Sequence, residues 1–132
     1  MRGVSDMAEP RIAVAVVTMG NRPAEVDALL ESVAKQDLAP ARIVVVGNGC
    51  RLPEFAERLS LPGEVTTIDV EENLGCPGGR NVALARLREY GDVDVVVELD
   101  DDGLLVDADV LRRVRELYTA DPRLGIVGFR IA

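Results

Sequence analysis

Asp100, Asp101 and Asp102 follow an apolar run at 93–99 and end in Gly103. A strand that empties into three adjacent carboxylates concentrates negative charge at a sheet edge, where like charges repel and an external cation relieves them. In an extended turn Asp100 and Asp102 point to one side and Asp101 away, so the first and third carboxylates can share a hard divalent ion. Two protein ligands leave coordination positions for phosphate oxygens and water, the pattern for Mg²⁺ or Mn²⁺ bound together with a diphosphate. The plainer alternative is a solvated acidic turn or a helix cap.

Three further groups could join that chemistry. The segment E-E-N-L-G-C-P-G-G at 71–79 reads as a glycine-rich loop opening a helix over 80–90. Gly79 and its neighbours allow close backbone approach, the helix start offers N–H groups and a positive dipole end, and Arg80 adds a planar fork suited to phosphate. A simple capping loop, with Arg80 paired to Glu71 or Glu72, is the alternative. The segment is not a dinucleotide fingerprint, because its glycines do not follow the first strand. Thr18, Asn21 and Arg22 form the next group: a hydroxyl and neighbouring backbone for a heterocycle or ribose, and a guanidinium for phosphate. Pro23 after them fits ordinary helix capping equally well. The last group is the turn Gly47-Asn48-Gly49-Cys50.

What is absent narrows the field. The 132 residues contain no histidine, so a Ser-His-Asp triad, an imidazole zinc site and histidine base catalysis are excluded within this chain. Lys35, the single lysine, lies late in a predicted helix, and no G-x-x-x-x-G-K motif exists. A formal charge of −8 argues against general nucleic-acid binding, which needs clustered Lys and Arg. Cys50 and Cys76 are too few for a disulfide scaffold and lack metal-site spacing, so both read as free thiols. No run of 18 apolar residues exists, and the first ten residues, with an Asp and a Glu, read as a mobile tail rather than a signal peptide. A cytoplasmic protein without a transmembrane segment is expected.

The elements that must position these residues alternate. Strands are expected over 11–18, 43–46, 65–70, 93–99 and 124–131. Helices are expected from Ala24, over 53–60, over 80–90, and after an Asp107 cap, with Leu111, Val114, Leu117 and Tyr118 inward and Arg112, Arg113 and Arg115 in water. Strand-helix units of this length predict one α/β domain over 11–132 with right-handed crossovers and a mainly parallel sheet. Ligands collect beyond the carboxyl ends of such strands, and all four polar groups lie at those ends. A chain that ends in a strand is expected to be the front part of a longer protein or domain.

Together these motifs resemble the nucleotide-sugar half of a family 2 glycosyltransferase with the GT-A fold. The matching pieces are I-A-V-A-V-V-T-M-G-N-R-P, V-V-V-G-N-G-C, E-N-L-G-C-P-G-G-R-N and L-D-D-D, with a weaker likeness in D-P-R-L-G-I-V-G-F-R. The N-L-G-x-P-G-G-R-N form looks like bacterial rhamnosyl- and galactofuranosyl-transferase relatives. The resemblance implies a Rossmann-like GT-A three-layer sandwich, incomplete at its C-terminus. It matches Asp100 and Asp102 to a D-x-D pair that holds Mg²⁺ or Mn²⁺, with Asp102 the stronger metal-ligand candidate and Asp100 facing ribose or the metal. It places Thr18 by the nucleoside and Arg80 near the base or diphosphate, with Asn73 and Asn81 shaping the loop and helix start. Gly47 departs from the pattern, since many relatives carry a base-contacting aspartate there; Asn48 is the residue that could compensate.

The implied activity is inverting transfer of a sugar from a nucleoside diphosphate to a saccharide or lipid-linked acceptor in polysaccharide synthesis, at or near the inner membrane face. No catalytic base is visible in the sequence. A donor-binding domain without catalysis is therefore a competing reading. A nucleotidyltransferase would need an early Arg/Lys-rich clamp, and a phospho-receiver would need acidic residues after the first strand and a late lysine; neither is present.

Overall fold

Side chains alternate across a strand, and along β1 (Ile12–Thr18) the alternation is between large and small residues. Ile12, Val14 and Val16 point one way, into a core with Val26, Leu29, Leu30, Val33, Leu111 and Val114. Ala13 and Ala15 point the other way, into a core with Val44, Val46, Ala83 and Leu87. The computed structural model describes residues 9–53 and 59–130. Within them β1 is joined by β2 (Arg42–Asn48), β3 (Glu64–Val70) and β4 (Val95–Asp100), and by helices α1 (Pro23–Ala34), α2 (Gly75–Tyr90) and α3 (Val110–Ala120).

The four strands form one sheet in the order β3-β2-β1-β4, and every pairing is parallel. The two cores place α1 and α3 on one face and α2 on the other, giving the three layers expected. β1 and β2 are interior strands, which explains their unbroken valine runs. Each fully buried Leu or Ile on the larger face contributes roughly 1.5–3 kcal/mol relative to leaving it in water.

Several expectations change. Residues 124–130 form no strand; Ile126 is 90% exposed and Phe129 45%. A strand persists only with a hydrogen-bonded neighbour, and among the described residues β4 pairs with β1 alone. α2 starts at Gly75 rather than Arg80, so C-P-G-G is helix and not loop. Its second glycine, Gly79, is needed for proximity: a Cβ there would lie 2.6 Å from Val17 Cγ1. Leu117 is exposed, not inward, while Arg115 is half-buried with Nε donating to Pro10 O at 3.0 Å. The helix expected over 53–60 falls mostly, and the tail over 1–10 apart from Glu9 and Pro10, outside the described residues.

α3 is also not capped by the Asp107 side chain. Its N-terminus is held by Gln36, which follows α1: Gln36 Oε1 accepts the Leu111 N–H at 3.1 Å, and Gln36 Nε2 donates to Asp107 O at 2.7 Å. Asp37 N–H donates to Ala108 O at 2.7 Å, and Ser32 Oγ accepts the Leu105 N–H at 3.1 Å. The end of α1 thus grips the whole segment between β4 and α3. At the opposite, amino end of the sheet, Arg42 forms a two-pronged pair with Asp92 at 2.8 and 2.9 Å and stacks over the Tyr90 ring at 3.7 Å.

Candidate functional site

The carboxyl ends of β1, β2 and β4 and the start of α2 surround a cleft of about 370 Å³. Thr18, Arg22, Asn48, Asn73 and the three aspartates line it, together with Gly75 and Cys76. Parallel strands bring these residues together from positions up to 84 apart, because every strand delivers its last residue to the same rim.

The aspartates divide among three partners. Asp101 turns inward, its side chain 16% exposed, and accepts a hydrogen bond from Thr18 Oγ1 at 2.9 Å. Asp102 pairs with Arg22 through Nη1 at 2.6 Å, and Asp100 with Arg80 through Nη2 at 3.0 Å. Both ion pairs are half-exposed, the class that adds about 0–1 kcal/mol, so their partners can be exchanged at little cost. Arg80 therefore serves Asp100 rather than Glu71 or Glu72. Among the described residues no three His, Cys, Asp or Glu side chains are gathered as a ready metal cage.

Asn48, 3% exposed, acts as a latch between β2 and α2: its Oδ1 accepts the Leu74 N–H at 2.8 Å and its Nδ2 donates to Gly75 O at 2.9 Å. Asn73 Oδ1 accepts the Gly75 N–H at 2.8 Å. With those donors used and Pro77 lacking one, α2 offers an anion chiefly its dipole, not the open row of N–H groups expected from the loop reading. Gly79 lies beneath the cleft, against Val17 and Asn48. Asn21 is exposed and is not among the residues that line the cleft, and Asn81 lies on the exposed surface of α2. Gly47 is covered by the turn that follows it, with no room for a side chain.

Asp69 was not singled out from the sequence. It is the penultimate residue of β3, and its Oδ1 accepts the Leu52 N–H at 2.9 Å. Its strand-end position was the available signal. Both cysteines are free, as expected, and Cys50 sits close to Thr18 O, 3.7 Å from Sγ. Burial, and then the Asp69 charge, push the Cys50 thiol above its ordinary range.

Comparisons with known proteins agree with this arrangement. The family model described as glycosyl transferase family 2 matches residues 14–132. The chain is similar to the uncharacterized glycosyltransferase YwdF of Bacillus subtilis (strain 168), 28% identical over 113 residues, 84% of this chain and 40% of that protein. In structure it is similar to S. aureus TarS, with a TM-score of 0.62 at 24% identity, covering 83% of this chain and 20% of TarS. Against TarS 1–349 in complex with UDP the TM-score is 0.65 at 25% identity, covering 83% of this chain and 32% of that one. The chain thus spans well under half the length of these relatives. The all-parallel sheet layered between helices is the GT-A architecture shared with TarS. A family match that runs from the middle of β1 through the aspartate turn and beyond it accounts for the same rim the geometry picked out, and the chain belongs to glycosyl transferase family 2.

Proposed function

We propose that this chain binds a nucleoside-diphosphate sugar and supplies the donor half of a metal-dependent, inverting glycosyltransferase. The observation that supports this most is the convergence of Thr18, Arg22, Asn48 and Asp100 to Asp102 on one cleft beside the start of α2. Similarity to a TarS structure in complex with UDP supports a nucleotide ligand there. Family membership supports a sugar or lipid-linked hydroxyl as acceptor, in polysaccharide synthesis at the cytoplasmic side of a membrane. Among the described residues no helix is long and apolar enough to cross one.

The donor set suits a hard cation. The aspartates offer oxygen ligands only, and the Arg22 and Arg80 guanidinium groups already lie against Asp102 and Asp100 as stand-in cations. Asp100 and Asp102 are the residues proposed to hold Mg²⁺ or Mn²⁺, with Asp101 fixed by Thr18. Such an ion supplies charge stabilisation to a leaving diphosphate. On donor binding Arg22 and Arg80 exchange carboxylate for phosphate oxygens, a planar two-pronged match. The α2 dipole favours the same anion by roughly 0.3–1 kcal/mol. Thr18 and Asn21 border the nucleoside, and the Asn48 latch keeps α2 against the rim.

Titration calorimetry with UDP, dTDP and GDP, with and without Mn²⁺, tests this reading. Binding that requires Mn²⁺ and that loses its metal-dependent increment in Asp102→Ala is the expected result. If no nucleotide binds, or if Asp102→Ala is indistinguishable from the parent, the assignment is wrong.

A second reading, a donor-binding domain that does not itself transfer sugar, has one observation in its favour. Inversion needs a general base for the acceptor hydroxyl. Each carboxylate lining the cleft is already bonded to Arg22, Arg80 or Thr18.

A further inference from the structure

Thr18 and Asp101 meet because the sheet delivers them side by side. The parallel register of β1 and β4 runs to Val17 beside Asp100, and Thr18 and Asp101 are the next residue along each chain. Thr18 is 2% exposed and its hydroxyl is used twice: Oγ1 donates to Asp101 Oδ2 at 2.9 Å and accepts the Gly20 N–H at 3.1 Å. A hydroxyl has a single proton to give, and this one is spent on the carboxylate. The Thr18 carbonyl is engaged too, accepting the Cys50 thiol at 3.7 Å. One residue thereby ties together the loop that carries Arg22, the turn after β2 and the aspartate turn.

The aspartate turn is tight. Gly103 N–H donates to Asp100 O at 2.9 Å, which makes Asp101 and Asp102 the two central residues of a four-residue turn. Their side chains part: that of Asp101 is 16% exposed against the rim, that of Asp102 50% exposed beside Arg22. Arg22 Nε lies 4.0 Å from Asp101 Oδ1, too far for a hydrogen bond, so the Thr18 hydroxyl is what holds Asp101 inward. Without it a largely buried carboxylate loses its donor and turns to water. Asp102, next to it in a turn closed by one bond, turns with it.

We propose that Thr18 is a positioning residue for the cation site: by holding Asp101 against the rim, its hydroxyl aims Asp102, the next residue of the same turn, into the cleft. The inference rests on the donor-binding reading above and adds what sets its metal-dependent part. It assigns the Thr18 hydroxyl to the protein, leaving the rest of the residue to border the nucleoside.

Calorimetry on the full chain with UDP, in Mn²⁺ and in EDTA, tests the assignment in the parent, Thr18→Val, Thr18→Ser and Asp101→Asn, with thermal melts to confirm folding. Valine keeps the shape of threonine and removes the hydroxyl. Thr18→Val is expected to cut the Mn²⁺-dependent gain in UDP affinity by roughly tenfold, the scale of one hydrogen bond to a charged group, and to change the affinity in EDTA by less than about twofold. Thr18→Ser, which keeps the hydroxyl, is expected to restore the gain. Asparagine accepts the same hydroxyl, so Asp101→Asn is expected to retain the gain that Asp102→Ala loses. A Thr18→Val protein with the parent's gain, or with equal losses in Mn²⁺ and EDTA, overturns positioning by Thr18 and leaves the donor site standing. If Thr18→Val does not fold, Asp101→Asn decides: a loss as complete as that of Asp102→Ala overturns the proposal. A parent without any Mn²⁺-dependent gain overturns both this inference and the metal-dependent donor reading.

Discussion

On the α1/α3 face of the sheet, β1 presents Ile12, Val14 and Val16 to Leu29, Leu30 and Val33; on the α2 face the same strand presents Ala13, Ala15 and Val17 to Gly79, Ala83 and Leu87. Large side chains fill the first interface and hold the helices at the distance their volume sets. Small ones in the second, Ala13 and Ala15 on the strand and Gly79 on the helix, let α2 settle until a methyl group at Gly79 would collide with Val17. One face supplies most of the buried apolar volume, and the other spends volume on placing a helix start beside the cleft. Stability and ligand placement are thereby assigned to opposite sides of one strand.

Truncating the larger face is expected to have the greatest effect on folding. Leu30→Ala, at a fully buried position, should lower the unfolding free energy in urea by about 2–5 kcal/mol while the folded protein keeps its UDP affinity. Gly79→Ala reverses the pattern. Overpacking against Val17 should cost about 1–3 kcal/mol of stability, and displacement of α2 should weaken UDP binding by roughly tenfold or more in calorimetry. If Leu30→Ala weakens nucleotide binding more than Gly79→Ala does, the division between the faces is wrong.

The smallest effect sharpens the comparison from the amino end of the strands. Hydrogen bonding from Arg42, opposed by burial and aided by the Arg42 and Arg11 charges, holds the Asp92 carboxyl below its ordinary value of 3.8. A group depressed in the folded state adds stability that is present above the unfolded pKa and is lost as pH falls through the folded pKa. Thermal melts of Asp92→Asn should therefore show a shallower loss of stability below about pH 4 than the parent, with UDP binding near neutral pH unaltered. A parent and variant with parallel acid limbs would show that the pair does not act through this ionisation.

The strands and α1 were legible because valine runs and the Val26, Leu29, Leu30, Val33 spacing report burial directly. The same is true of the rim, since strand ends mark it. The start of α2 was not legible: C-P-G-G has the composition of a loop, and only contact with Val17 and Leu74 explains glycine inside a helix. Nor could the sequence show how the aspartates pair, because Thr18 and Asp101 lie 83 residues apart and Arg22 and Asp102 lie 80. Residues 124–130 have strand composition, but composition cannot supply the neighbour that a strand needs.

The grip of α1 on the segment before α3 has a consequence for how the carboxylates meet a ligand. With Leu105, Asp107, Ala108 and Leu111 all bonded to Ser32, Gln36 or Asp37, the chain between the end of β4 and its first anchor is only residues 101–104. A tether that short restricts Asp101 and Asp102 to a small volume above the rim, and a small volume is a high effective concentration. Ser32, which does not line the cleft, thus sets the local concentration of carboxylate above the rim through its bond to Leu105.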